Sequence, residues 1–88
     1  MKRKSKTKQH RLDDMVKAAW MFDLEFHLPP FEGNPRECSI DIHKIKDKPE
    51  FQTFIEIINH MDIPYEYAKG KQSGRFFLII NSDSINGV

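Results

Sequence analysis

The chain has 88 residues, of which 39% are hydrophobic and 31% are charged, and its formal net charge is +1. This length suffices for one domain with one core, and the composition differs from that of disordered chains. A single cysteine excludes an intramolecular disulfide, and no apolar run is long enough to span a bilayer, so we expect a cytoplasmic protein without membrane contact.

The start of the chain is strongly basic. Its first eleven residues hold six of the fourteen basic residues and no acidic one, namely Lys2, Arg3, Lys4, Lys6, Lys8 and Arg11. The rest of the chain has eight basic and thirteen acidic residues, which gives it a net charge of −5. Because like charges repel and no apolar face is present, we predict a disordered basic arm over residues 1–10 and a single domain over residues 11–88.

The first two predicted elements are a helix and a strand. Apolar residues recur at helical spacing from Leu12 to Trp20, so a helix is expected over residues 12–21 with that face toward the core. The period then changes to two, because Phe22, Leu24, Phe26 and Leu28 alternate with polar residues, which predicts a strand. Three prolines and a Gly-Asn pair between residues 29 and 37 indicate a loop.

A second strand and a second helix follow. Residues 38–45 are predicted as a strand with Ile40 and Ile42 on one face. Asp47 and Glu50 have the spacing of a capping box and Pro49 suits the first turn, so a helix is expected over residues 48–61.

The last two elements are predicted as a hairpin. Residues 64–69 and 75–81 are expected to be strands that flank a turn over residues 70–74. The last strand is apolar on both faces, which favours a central position in the sheet. The order αββαββ then indicates a single α+β domain with two helices and a four-stranded, mainly antiparallel sheet, in which the second helix makes a split βαβ unit with its flanking strands.

The basic arm is a candidate nucleic-acid-binding segment. Its six cations, Lys2, Arg3, Lys4, Lys6, Lys8 and Arg11, could neutralise phosphates and bind without sequence preference. The folded body is net acidic, however, and is expected to repel nucleic acid. An arm that only adds solubility or contacts an acidic protein remains the alternative.

The polar side of the first two strands is the candidate for chemistry. If these strands pair as a hairpin, three carboxylates and two imidazoles share one face, namely Asp23, Glu25, His27, Asp41 and His43. Such a set could hold a divalent metal or supply an acid and a base, which would make the chain a small metal-dependent enzyme. A solvated face with no chemical role explains the same alternation, and no metal or cofactor is assigned.

The remaining features favour a binding protein. Phosphate loops, paired CxxC sequences and nucleophile elbows are absent from the sequence, and Cys38 is interpreted as a structural thiol. Tyr65, Tyr67 and Arg75 on the second hairpin are the predicted partner-binding residues. We therefore expect a non-enzymatic binding or regulatory protein whose partner is another protein or a second copy of the chain, with nucleic-acid binding through the arm as the first alternative.

Overall fold

A computed structural model describes the backbone of residues 3–85 and the side chains of residues 12–85. It contains two helices and four strands: α1 (Arg3–Met21), β1 (Phe26–His27), β2 (Glu37–Asp41), α2 (Pro49–His60), β3 (Glu66–Lys69) and β4 (Phe76–Asn81). A short 3₁₀ helix, Ser82–Ser84, follows β4. The predicted α+β class and αββαββ order are confirmed.

The four strands form one antiparallel sheet in the order β1-β2-β4-β3. The predicted central position of the last strand is confirmed, because β4 pairs with β2 on one side and with β3 on the other. Since both neighbours run antiparallel to β4, β2 and β3 run parallel to each other. The connection β2-α2-β3 is therefore the predicted split βαβ unit, with β4 inserted between its two strands.

Both helices pack on the same face of the sheet. The core joins Met15, Ala18 and Ala19 of α1 to the buried side of α2 and to alternate residues of the strands, which on β2 and β4 are Cys38, Ile40, Leu78 and Ile80. The ring of Phe22 meets that of Phe54 edge to face, with centroids 5.5 Å apart, and so links the end of α1 to α2. Burial of this apolar surface is the main stabilising term of the fold.

The opposite face of the sheet is covered by the loop between β1 and β2 instead of a helix. The ring of Phe31 packs edge to face against Phe77, with centroids 5.1 Å apart. The next residue of the same loop, Glu32, reaches the turn between β3 and β4, where its carboxylate accepts a hydrogen bond of 2.7 Å from the backbone N–H of Lys71. On this face Ser39 and Ile79 are buried, which explains how β4 can be apolar on both sides.

The first helix differs from the prediction in the residue at which it starts. It begins at Arg3 instead of residue 12, so most of the segment predicted as a disordered arm has helical backbone. Lysine, arginine and glutamine lose little freedom in a helix, which is why this segment can continue α1 without an apolar face. Met1 and Lys2 lie outside the described residues, and the boundary between arm and domain stays a prediction.

The predicted strand over residues 22–28 is wrong in length, because only Phe26 and His27 are in the sheet. After α1 the backbone N–H of Leu24 donates to the carbonyl of Ala19 and that of Asp23 to the carbonyl of Trp20. Asp23 has a φ of 60°, the left-handed conformation that ends helices in this motif. The alternating pattern thus includes the helix cap, where Leu24 is buried although it is not in a strand.

The observed ends of the other elements differ from the predicted ends by a few residues, and the predicted N-cap of α2 is wrong. The strand predicted over residues 38–45 ends at Asp41, and the next residues turn toward α2. The N-cap of α2 is Lys48 instead of Asp47, and no side chain caps this end. The carboxylate of Asp47 binds the ammonium of Lys46 at 2.6 Å. Pro49 does occupy the first turn as predicted.

Candidate functional site

Two adjoining surfaces meet at Trp20, an exposed residue in the last turn of α1. One is an open cleft of about 800 Å³, here called the charged cleft, lined by Trp20, Asp23, Leu24, Glu25, Phe26, His27, Asp41, Lys44 and Arg75. The other, here called the apolar groove, runs between α1 and β1 and has the apolar lining Leu12, Val16, Trp20, Phe26 and Leu28.

The charged cleft contains four of the five predicted metal candidates. Asp41 ends β2, Asp23 and Glu25 belong to the turn between α1 and β1, and His27 is in β1. Strand pairing aligns His27 with Ser39, and Asp41 follows Ser39 by two residues, so the side chains of His27 and Asp41 lie on the same face of the sheet. The predicted clustering across the first two strands is therefore found, apart from one member.

His43 is the member that does not join the cleft. Its Nδ1 accepts a hydrogen bond of 3.3 Å from the backbone N–H of Phe76, and its ring stacks on the Phe76 ring at 5.9 Å. The prediction placed His43 beside Asp41 by continuing the strand alternation. Because β2 ends at Asp41, that alternation no longer applies.

Two of the three carboxylates of the cleft are held by a lysine or an arginine of the protein itself. The carboxylate of Asp23 lies 2.6 Å from Lys44 Nζ, which also donates to the Asp23 carbonyl. Asp41 accepts two hydrogen bonds from the Arg75 guanidinium, and Glu25 lies 3.3 Å from His27 Nε2. Within residues 12–85, no three His, Cys, Asp or Glu side chains are arranged to hold a metal ion.

These ion pairs change two carboxyl groups. Hydrogen bonding and charge attraction from Lys44 lower the pKa of Asp23. Partial burial acts to raise the pKa of Asp41, but hydrogen bonds from Arg75 and from the His43 backbone N–H outweigh it and lower the pKa overall. Both carboxylates are therefore ionised and internally neutralised at neutral pH, which is the opposite of a carboxyl group prepared as a general acid.

The predicted partner-binding residues do not lie together. Tyr67 pairs with Leu78 on the helix-covered face of the sheet, where its ring lies 5.7 Å from that of Tyr65. The Tyr65 hydroxyl donates to Asn59 Oδ1 at 3.0 Å. Arg75 points to the other face, into the charged cleft. Of the predicted nucleic-acid-binding residues, Lys2 lies outside the described residues and the side chains of Arg3, Lys4, Lys6, Lys8 and Arg11 lie outside the described side chains.

The apolar groove was not anticipated. Val16 and Trp20 were expected to face the core, whereas Trp20 is 70% exposed and Leu28, expected on the buried side of its strand, is 58% exposed. Met15 and Ala19, also expected on that face, do lie in the core, and Ala18 joins them there. The two adjacent alanines are the sequence signal for this face, because small residues permit the close approach of α1 to its neighbours.

Comparison with known proteins does not assign the chain to a family. Comparison with protein families, with curated proteins and with solved structures finds no match for the chain. Within the described part of the chain, neither helix combines the length and the apolar character needed to cross a membrane.

Proposed function

We propose that the chain is a non-enzymatic binding protein that works through protein–protein contact, and that the apolar groove is its contact surface. The exposure of Trp20 is the observation that carries this proposal. Trp20 is 70% exposed and Leu28 is 58% exposed, and both line the groove, whereas the other exposed large hydrophobic residues of the described chain, Met21 and Tyr67, do not. Contiguous exposed apolar surface is typical of interaction sites, and tryptophan is enriched among residues that dominate binding energy.

The neighbouring strand supports the same conclusion. β1 lies at the edge of the sheet and has only two residues. Its outer side is not paired with another strand in the described residues, so a partner could add backbone hydrogen bonds beside the groove. The apolar lining would supply affinity and the strand edge would supply orientation.

Charge layout favours a second copy of the chain as the occupant. Residues 3–11 of α1 contain five basic and no acidic residues, whereas Glu25, which makes no ion pair with a lysine or arginine of the described residues, follows the other end of the helix. If two α1 helices pair antiparallel across a two-fold axis, the basic start of each lies near the acidic end of the other. Such an interface is formed by the same patch of each copy, so the Trp20 side chains of both copies would be buried.

Sedimentation equilibrium of the full chain tests this proposal. We expect a reversible dimer that the double variant Trp20→Ser/Leu28→Ser weakens at least roughly 100-fold, since truncation of a central tryptophan costs about 2 kcal/mol or more per copy. Met21→Ser is the matched control, because Met21 is also 70% exposed but does not line the groove. A monomer at all concentrations, or equal weakening by the control, would reject the proposed dimer.

A further inference from the structure

The basic residues of the folded body are concentrated in two short segments. Eight lysines and arginines follow Arg11 in the sequence, and six of them lie within residues 44–48 and 69–75. We call this set the basic end, which consists of Lys44, Lys46, Lys48, Lys69, Lys71 and Arg75. The first segment connects β2 to α2 and the second connects β3 to β4.

The sheet topology brings the two segments to the same end of the domain. β2 finishes where β4 starts, because Asp41 pairs with Phe77, and β3 finishes there too, because Lys69 pairs with Phe76. The backbone N–H of Ile42 donates to the Phe76 carbonyl at 3.0 Å and fixes the two segments to each other. The ammonium groups of Lys46 and Lys69 both lie over the Phe76 ring, 5.2 and 5.7 Å from its centroid.

Half of these cations are free of carboxylates. Lys44, Lys46 and Arg75 pair with Asp23, Asp47 and Asp41. Lys48, Lys69 and Lys71 are exposed and make no ion pair with any residue whose side chain the structure describes. The Lys69 ammonium contacts only the face of the Phe76 ring, and at Lys71 it is the backbone N–H that binds the Glu32 carboxylate. The three side-chain charges are therefore not neutralised by an ion pair among the described residues and can bind a ligand.

Three acidic residues lie at the opposite end of the strands, and one of them, Asp83, is paired there with Arg36. Glu37 pairs in register with Asn81 and Glu66 with Ile79, and Asp83 follows β4 at that end. At the basic end, six cations lie beside the carboxylates of Asp23, Asp41, Asp47 and Glu32, so cations outnumber these four carboxylates. The expectation that the body repels nucleic acid was drawn from the net charge of −5 and does not take this local excess of cations into account.

We propose that the basic end binds the phosphate backbone of duplex nucleic acid. Lysines on loops are suited to phosphates as mobile point charges, and neutralising phosphates releases counterions whatever the base sequence. Single strands call for aromatic stacking platforms, but the Phe76 ring is already in contact with His43, Lys46 and Lys69. The basic end shares no residue with the apolar lining of the groove, so this proposal does not rest on the proposed dimer.

Fluorescence anisotropy of a short labelled DNA duplex against the full chain tests the proposal between roughly 50 and 200 mM salt. The test variant is Lys69→Gln/Lys71→Gln. The control is Lys17→Gln/Arg36→Gln, which removes the same charge from the only two lysines or arginines after Arg11 that lie outside the basic end. Because Lys17 also lines the groove, sedimentation must show the same association state for this control and the wild type. Circular dichroism and urea unfolding establish that both variants fold.

Wild-type binding is expected to fall with salt, and the test variant should lower the log–log slope by about 1.8, since each lost phosphate contact removes about 0.9. The control should leave the slope close to that of the wild type. Equal loss in both variants would assign binding to the N-terminal segment or to net charge and overturn the proposal. So would the absence of duplex binding at low salt, tighter binding of a single strand, or equally tight binding of polyglutamate.

Discussion

The guanidinium of Arg75 donates two hydrogen bonds to the carboxylate of Asp41, from Nε at 2.6 Å and from a terminal nitrogen at 3.2 Å. Asp41 is the last residue of β2 and Arg75 directly precedes β4, so the pair joins two sheet neighbours at the point where both connect to loops. The side chain of Asp41 is only 15% exposed, whereas that of Arg75 is 46% exposed. The interaction therefore organises both the charged cleft and one side of the basic end.

Asp41→Asn is expected to lower the free energy of unfolding by about 1 kcal/mol at neutral pH. This is the contribution of a hydrogen bond between charged groups, reduced because Arg75 is partly exposed to solvent. The folded-state pKa of Asp41 lies below its ordinary value of 3.8, so this stabilisation is present above that value and is lost as pH falls below it. Urea unfolding at a series of pH values should show the wild type and the variant converging in acid.

Asp62→Asn provides the control for this measurement, because the Asp62 carboxylate makes no ion pair with the side chains of residues 12–85. It should change stability little at any pH. A difference between wild type and Asp41→Asn that stays constant down to the lowest pH would contradict the assigned role of the carboxylate charge.

The start of α2 offers a stabilising substitution. Lys48 is the N-cap, has extended backbone with φ −110° and ψ 156°, and makes no capping hydrogen bond from its side chain. Lys48→Ser should place a hydroxyl where it accepts from the backbone N–H of Glu50, since Pro49 has no N–H and that of Phe51 already donates to the Lys48 carbonyl. The free energy of unfolding should rise by about 0.5 to 1 kcal/mol. Urea unfolding measures this gain, and Lys71→Ser, a substitution at an exposed loop residue, is the control. If Lys48→Ser is no more stable than this control, Lys48 does not occupy the N-cap position.

The thiol of Cys38 is expected to be unreactive in the folded protein. Its side chain is completely buried in the core, and burial raises its pKa above the ordinary value, so little thiolate forms at neutral pH. Titration with a thiol reagent should proceed slowly in buffer and rapidly to one equivalent in urea. Rapid modification of the native protein would contradict both the packing of β2 and the interpretation of Cys38 as structural.

The local pattern of the sequence was sufficient to predict the fold but not the surfaces. The run Phe76–Ile80 identified the central strand because a strand between two neighbours can be apolar on both faces. The extent of β1 could not be read from alternation, because a helix cap can place Leu24 in the core as a strand would. The capping box at Asp47 failed for a similar reason, since spacing alone does not show which residue has the N-cap backbone.

The surfaces depend on contacts between distant segments. The core-facing side of α1 was misjudged at Trp20 because periodicity allows several neighbouring faces, and only packing against α2 and β1 selects one. The basic end could not be predicted from net charge, because Lys69 and Lys71 lie at the same end of the domain as Lys46 only as a result of the pairing of β2, β3 and β4. The grouping of Asp23, Glu25, His27 and Asp41 was predicted, whereas the neutralisation of the two aspartates by Lys44 and Arg75 is seen only in the folded structure.

The fluorescence of Trp20 tests the central proposal most directly, because Trp20 is the one tryptophan of the chain and lies in the proposed interface. Emission and acrylamide quenching would be recorded over a wide range of protein concentration. We predict a solvent-exposed indole in dilute solution that shifts to the blue and becomes protected from quenching, with the same midpoint as dimerisation in the centrifuge. An indole that stays exposed and fully quenchable at every concentration would contradict self-association through the apolar groove.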